Sequence, residues 1–269
     1  MSKPKGDAYI FGFAAAVCLF CGLVLSLSAT ALKPTQEANV KLDILKNLMA
    51  SVGKDMKEMS TMKPEAVFAL FDKEFETLLL NEGNEEQNRT KMETDLEALG
   101  YPAAELKDLD TGTLLRRFNA KVGLLARKAN QSRDEYDPGY KLVYVYKPTG
   151  NVEAYVIPIE GNGLWDIIKG YMALEPDLNT VKGVSFYEHK ETPGLGARIT
   201  EDWFKNDFKG KKILDDSGQL VSITVAKGIG SGEHQVDGIS GATLTGKGIN
   251  GFLMSDLKRY ESYFKSQRQ

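Results

Sequence analysis

Residues 142–159 read Leu-Val-Tyr-Val-Tyr-Lys-Pro-Thr-Gly-Asn-Val-Glu-Ala-Tyr-Val-Ile-Pro-Ile. The first five residues of this stretch are apolar and rich in β-branched and aromatic side chains, which favours a strand. Residues 148–151 predict a turn, because proline and glycine interrupt regular structure. A second strand is predicted over 152–159, so the two strands are expected to form a β-hairpin.

The segments after the hairpin alternate between strand and helix patterns. Further strands are predicted over 181–187 and 220–226. Helices are predicted over 164–174 and 200–208, and Thr200 is the expected N-cap of the second one.

The last segment carries one apolar face at helical spacing, which predicts a C-terminal helix. The residues of that face are Ile249, Phe252, Leu253, Leu257 and Tyr260. Strands joined by a hairpin, with intermittent helices, indicate an α+β domain with a largely antiparallel sheet. We place this domain at 136–269.

Residues 33–135 are predicted to form a helical stalk and then a helical insertion. Apolar residues at helical spacing follow Pro34, and Gly53 is the expected end of that helix. Several further periodic runs lie between 64 and 135, and a polar linker closes the segment at 130–135. No chemical motif occurs here, so its charges are interpreted as solvated helix faces; a partner-docking surface is the alternative.

The N-terminal segment 8–32 contains 25 residues without a charge. As a helix it would span roughly 37 Å, which is enough to cross a bilayer. Lys3 and Lys5 precede it, which favours a cytoplasmic N-terminus at 1–7 and an exported remainder. A cleaved signal peptide is the alternative, because residues 29–31, Ala-Thr-Ala, resemble a cleavage site.

Composition argues against several classes of function. The net charge of −3 argues against a nucleic-acid binder. Two histidines and two cysteines argue against a zinc or iron site within the chain, and we predict no metal. Cys18 and Cys21 form a C-x-x-C pair within the apolar segment; we interpret them as small membrane-helix residues, with a redox pair as the alternative.

Residues 237–243, Asp-Gly-Ile-Ser-Gly-Ala-Thr, end on a hydroxyl that small neighbours leave accessible. Gly241 and Ala242 place almost nothing in front of Thr243. The segment leads into the last helix, and a helix N-terminus favours a phosphate. These points predict an anchored anionic group on Thr243 without naming it.

Two more glycine-rich loops lie upstream, at 161–165 (Gly-Asn-Gly-Leu-Trp) and 191–196 (Glu-Thr-Pro-Gly-Leu-Gly). Trp165 and Leu195 are expected to contact a flat ring, and the N–H groups near Gly194 and Gly196 to bond its polar atoms. Each loop alone is also typical of a tight turn. The neighbouring charged residues are interpreted as surface charges: Asp166, Lys169, His189 and Glu191.

Several spaced motifs occur together in one order. They are Gly163-Leu164-Trp165, Leu174-Glu175-Pro176-Asp177, residues 191–196 and residues 234–245. This combination resembles the NqrC family, whose members belong to the bacterial Na⁺-translocating NADH:quinone reductase (the NQR complex). The resemblance covers about 136–264, together with the N-terminal anchor and the helix after it. It does not extend to 64–135.

The resemblance implies one FMN per chain, joined to Thr243 through a phosphoester bond. In the family a separate flavin transferase cleaves FAD and transfers the FMN. Asp237 and the small residues Ser240, Gly241 and Ala242 would form its recognition signal, and Thr245 is a nearby competing hydroxyl. The other residues implied at the flavin are Leu164, Trp165, Thr192, Gly194, Leu195 and Gly196.

The resemblance also implies a single-pass protein of the bacterial inner membrane, with its FMN domain on the outer side. It would relay electrons among the other subunits of the NQR complex and would not be active alone. One alternative is the homologous FMN-carrying protein of the related Rnf ferredoxin:NAD oxidoreductase complex. Another is a membrane-anchored interaction protein that binds no flavin.

Overall fold

The computed structural model describes residues 6–107, 109–131 and 139–268. Lys3, Lys5, most of the predicted polar linker and the expected domain boundary at 135–136 lie outside these ranges. The chain divides into two compact units, Met1–Ile44 and Leu45–Gln269.

The first helix, α1 (Asp7–Ser51), continues across Pro34. Among the described residues it is the one helix that is long and apolar enough to cross a membrane, and its most apolar window is not buried. Gly53, with φ +98°, follows the end of the helix as predicted. Leu48 and Val52 of the predicted apolar face are buried, whereas Val40 is 58% exposed.

The segment predicted to be helical up to residue 135 contains a strand, so that prediction was wrong in part. Its elements are α2 (Met56–Thr61), α3 (Pro64–Glu74), β1 (Phe75–Leu80), α4 (Arg89–Ala98), α5 (Ala103–Leu106) and α6 (Thr111–Ala129). Strand β1 pairs antiparallel with the strand that begins at Lys141, with Leu78 opposite Val143. Its apolar run is short, and the pairing partner rather than local preference makes it a strand.

A five-stranded antiparallel sheet in the order β1-β2-β3-β4-β5 is the centre of the second unit. The remaining strands are β2 (Lys141–Tyr146), β3 (Ala154–Asn162), β4 (Ile167–Leu174) and β5 (Val181–Glu188). The predicted hairpin is β2–β3, with Tyr144 opposite Val156. The α+β class with an antiparallel sheet is thereby confirmed, as is the strand predicted at 181–187.

The helix predicted over 164–174 is wrong, because residues 167–174 form β4. Its apolar run is compatible with either period, and its place between β3 and β5 decides in favour of a strand. Gly170 permits this packing, since a Cβ there would lie 2.1 Å from the Ser185 carbonyl oxygen. A two-sided hydrogen-bond ladder therefore outweighs the local helical pattern.

Two other predicted elements are shorter than expected. Of the strand predicted at 220–226, β6 (Thr224–Val225) remains, and it pairs in parallel with β7 (Gln235–Val236). Ser222 has φ +62°, a conformation that interrupts an extended strand.

The helix predicted at 200–208 is α7 (Asp202–Asp207), which a 3₁₀ turn at Gly196–Thr200 precedes. Thr200 does not cap it, because its hydroxyl donates to the Ala197 carbonyl at 3.0 Å.

The last helix, α8 (Thr243–Gln267), packs against the sheet. All five residues of its predicted apolar face are buried, in agreement with the sequence analysis. The approach is closest where α8 begins to cross β3, since a Cβ at Gly248 would lie 2.3 Å from the Asn162 carbonyl oxygen. This contact places the N-terminus of α8 beside the turn between β3 and β4.

Candidate functional site

Three chain segments meet in one open cleft beside the N-terminus of α8. They are the β3–β4 turn, the loop that follows β5, and the residues around Thr243. The cleft has a volume of about 490 Å³, counting the part open to solvent, which is a size that accommodates small ligands. It is lined by Leu164, Glu191, Thr192, Leu195, Gly196, Gly241, Ala242, Thr243, Leu244 and Thr245.

Thr243 is the first residue of α8, and its side chain is exposed at the cleft. Ala242, which precedes it, provides no side-chain cap, so the amides of the first turn remain free to bind an anion. Gly241 has φ +75°, and a Cβ there would lie 2.8 Å from Leu195 Cδ2. The turn before Thr243 therefore requires glycine for both its conformation and its contact with the neighbouring loop.

Thr245 also lines the cleft, but it is only 1% exposed. Its hydroxyl donates a hydrogen bond to Glu191 Oε2. The two hydroxyls of this helical turn therefore differ in accessibility. Thr243 is open to a reagent, whereas Thr245 is buried and engaged.

Glu191 is not the surface charge that the sequence suggested, since only 4% of it is exposed. Its Oε1 accepts hydrogen bonds from the amides of Leu164 (2.9 Å) and Trp165 (3.1 Å). Together with the bond from Thr245, these contacts join all three walls of the cleft. Sequence reasoning missed this role because glutamate is seldom buried.

The glycines beside Glu191 explain how its carboxylate fits. A Cβ at Gly163 would lie 2.5 Å from Oε1, and a Cβ at Gly196 would lie 2.6 Å from Oε2. The sequence analysis expected these glycines to let backbone approach a ring. In the structure they leave space for a buried carboxylate, which is the signal that could have indicated its position.

The mouth of the cleft is apolar. Leu195 and Leu244 are 43% and 55% exposed, and Leu164 is 44% exposed. Trp165 lies next to Leu164 and is 68% exposed, with its Nε1 donating to Thr192 Oγ1 at 3.1 Å. An exposed apolar rim beside free helix-terminal amides suits a ligand with a flat aromatic ring and a phosphate.

Four predicted site residues do not line the cleft: Ser240, Gly194, Trp165 and Asp237. Ser240 and Gly194 are exposed next to it in sequence. Asp237 instead organises the preceding loop, because its Oδ1 accepts from the Gly230 amide at 2.7 Å. Its own amide donates to Asp207 Oδ2 at 2.5 Å. The structure thus places Asp237 in the framework of that loop.

The sheet, the final helix and this cleft define a protein with an FMN-binding domain. A family model described as "FMN-binding domain" matches residues 163–255, which include all three walls of the cleft. The chain belongs to the NqrC family of the Na⁺-translocating NADH-quinone reductase. The family resemblance drawn from the sequence motifs is therefore confirmed.

Relatives support this assignment along nearly the whole chain. The NqrC relative of Pseudomonas aeruginosa is 33% identical over 94% of this chain and 92% of its own length. That of Vibrio campbellii is 32% identical over 91% of this chain and 90% of its own length. The crystal structure of the Parabacteroides distasonis relative is similar, with a TM-score of 0.61 and 28% identity over 87% of this chain and 96% of that one.

Proposed function

We propose that this chain is the membrane-anchored NqrC component of a Na⁺-translocating NADH-quinone reductase and carries FMN joined covalently to Thr243. The observation that carries the proposal is the exposed Thr243 hydroxyl at the first position of α8, on the edge of an apolar-rimmed cleft. The phosphate would lie at the helix N-terminus and the ring against Leu164, Leu195 and Trp165. When bound, FMN supplies an electron carrier.

Attachment requires an accessible hydroxyl and an FAD donor, which a separate flavin transferase would process. The Thr243 oxygen would form a bond to the FMN phosphorus, the pyrophosphate bond would break, and AMP would leave with release of the hydroxyl proton. Ser240 and Gly241 are exposed beside this hydroxyl, which supports their role in recognition by the transferase. The other subunits of the reductase would exchange electrons with the attached cofactor.

Mass spectrometry of the full chain tests the attachment. Co-expressed with a flavin transferase, the chain should gain the mass of one FMN minus water, and Thr243→Ala should not. Thr245→Ser is the matched control and should retain the adduct. An adduct that persists on Thr243→Ala would overturn the site, and no adduct on the wild-type chain would overturn the covalent flavoprotein assignment in favour of a flavin-free interaction protein.

We propose a cytoplasmic N-terminus and an FMN domain on the outer side of the bacterial inner membrane. The uncharged part of α1, with lysines before it, supports this orientation. A single cysteine at the exposed Ser217, with Cys18 and Cys21 replaced by serine, tests it. A membrane-impermeant maleimide should label Ser217→Cys in spheroplasts, and labelling only after lysis would contradict the orientation.

A further inference from the structure

We propose that Glu191 is a positioning residue that holds the three walls of the cleft together, and that its charge makes a flavin bound there harder to reduce. The proposal rests on the proposed flavin site. It begins from the convergence of donors on one side chain: two amides from the β3–β4 turn and one hydroxyl from α8. Glu191 itself belongs to the loop after β5, so one carboxylate links three separate segments.

The donor set suits the ionised form of Glu191. Amides can only donate, and an ionised carboxylate can only accept, so each of the observed contacts is satisfied without a proton on the acid. Buried acids are costly unless such bonds compensate for lost water. Here Gly163 and Gly196 leave the space that brings the donors within reach.

No cation neutralises Glu191 within the described ranges. Lys190, its sequence neighbour, pairs with Asp166 at 2.5 Å, and Lys169 pairs with Glu188 at 2.8 Å. The charge of Glu191 is therefore balanced by hydrogen-bond dipoles alone. Because the residue lines the cleft and is shielded from water, its field acts on a ligand there with little screening.

Reduction adds negative charge to a ring, and a fixed negative charge nearby opposes that addition. A neutral residue in the same place should therefore raise the reduction potential. Glu191→Gln is the suitable change because its amide oxygen still accepts from Leu164 and Trp165. Its amide group can donate to the Thr245 oxygen, so the variant removes the charge and keeps the contacts.

Redox titration of the flavin-loaded full chain tests the charge. Glu191→Gln should shift the midpoint potential upwards. Glu188→Gln removes the same charge from an exposed side chain and should shift it much less, since solvent screens that position. Equal potentials for Glu191→Gln and the wild type, or equal shifts in both variants, would overturn the electrostatic role.

Amide hydrogen exchange of the flavin-free chain tests the positioning role separately. Glu191→Ala removes the acceptor, and the Leu164 and Trp165 amides should exchange about tenfold faster or more, with Glu191→Gln much closer to the wild type. Unchanged exchange in Glu191→Ala would overturn the positioning role. Failure of the wild-type chain to take up FMN would instead sink the proposed function, and the exchange result would still stand.

Discussion

Thr243 and Thr245 lie two residues apart at the start of α8, yet the first is exposed and the second is buried against Glu191. Helical geometry turns side chains at i and i+2 to different faces, and here one face meets the cleft opening and the other its floor. The pair therefore divides two tasks, attachment and support, between chemically identical residues.

Thr245→Val should destabilise the chain by about 1–3 kcal/mol, because it leaves Glu191 Oε2 buried without its donor. Thr243→Val should change stability by only about 0.5 kcal/mol, since that side chain is exposed. Denaturant unfolding of the detergent-solubilised, flavin-free chain measures both. Equal effects of the two variants would contradict the assigned difference in burial.

Gly248 and Gly251 occupy one helix but should respond in opposite ways to alanine. At Gly248 a Cβ would meet the backbone of Asn162, so Gly248→Ala should cost about 1–3 kcal/mol. At Gly251 nothing lies within 4 Å, so Gly251→Ala should gain about 0.5–1 kcal/mol from helix propensity. Thermal unfolding of the two variants measures the effects, and destabilisation by Gly251→Ala would disagree with the structure.

Asp256 should make stability fall as pH rises from about 4 to 7. Burial is the main cause that raises its pKa to about 7, and the nearby Glu160 charge adds to it, while the Glu160 amide and Arg259 oppose it. The folded chain therefore binds more protons than the unfolded chain in this window, which lowers stability towards higher pH.

Asp256→Asn should remove this contribution and keep the acceptor for the Glu160 amide at 2.9 Å. Relative to the wild type, it should be more stable above pH 7 by about 1 kcal/mol or more, with the gain disappearing near pH 4. Unfolding curves at pH 4, 6 and 8 measure the difference. A difference that does not vary with pH would exclude this titration.

The insertion helix α6 should depend on one aromatic contact with the sheet domain. Phe118 is 1% exposed and meets Tyr140 edge-on at a centroid distance of 5.4 Å. Phe118→Ala should destabilise the chain by about 3–5 kcal/mol, whereas Leu124→Ala on the exposed side should change it by about 0.5 kcal/mol or less. Denaturant unfolding compares them, and a mild effect at Phe118 would mean that α6 is not part of the same cooperative unit.

The sequence analysis was most successful where the signal was local. The β2–β3 hairpin and the apolar face of α8 follow from turn residues and periodicity within one segment. It was wrong for β4 and missed β1, since short apolar runs fit both periods. Their identity depends on neighbouring strands that are distant in sequence, such as Val143 opposite Leu78.

The candidate site divides in the same way. The sequence by itself determined the family and singled out residues 237–243, because a run of small residues ending in a hydroxyl is a property of contiguous chain. Only the tertiary structure decided that Glu191 is buried, that Thr245 is engaged and that Asp237 supports a loop outside the cleft. Burial and hydrogen bonding depend on which distant segments meet, and a single segment carries no record of its partners.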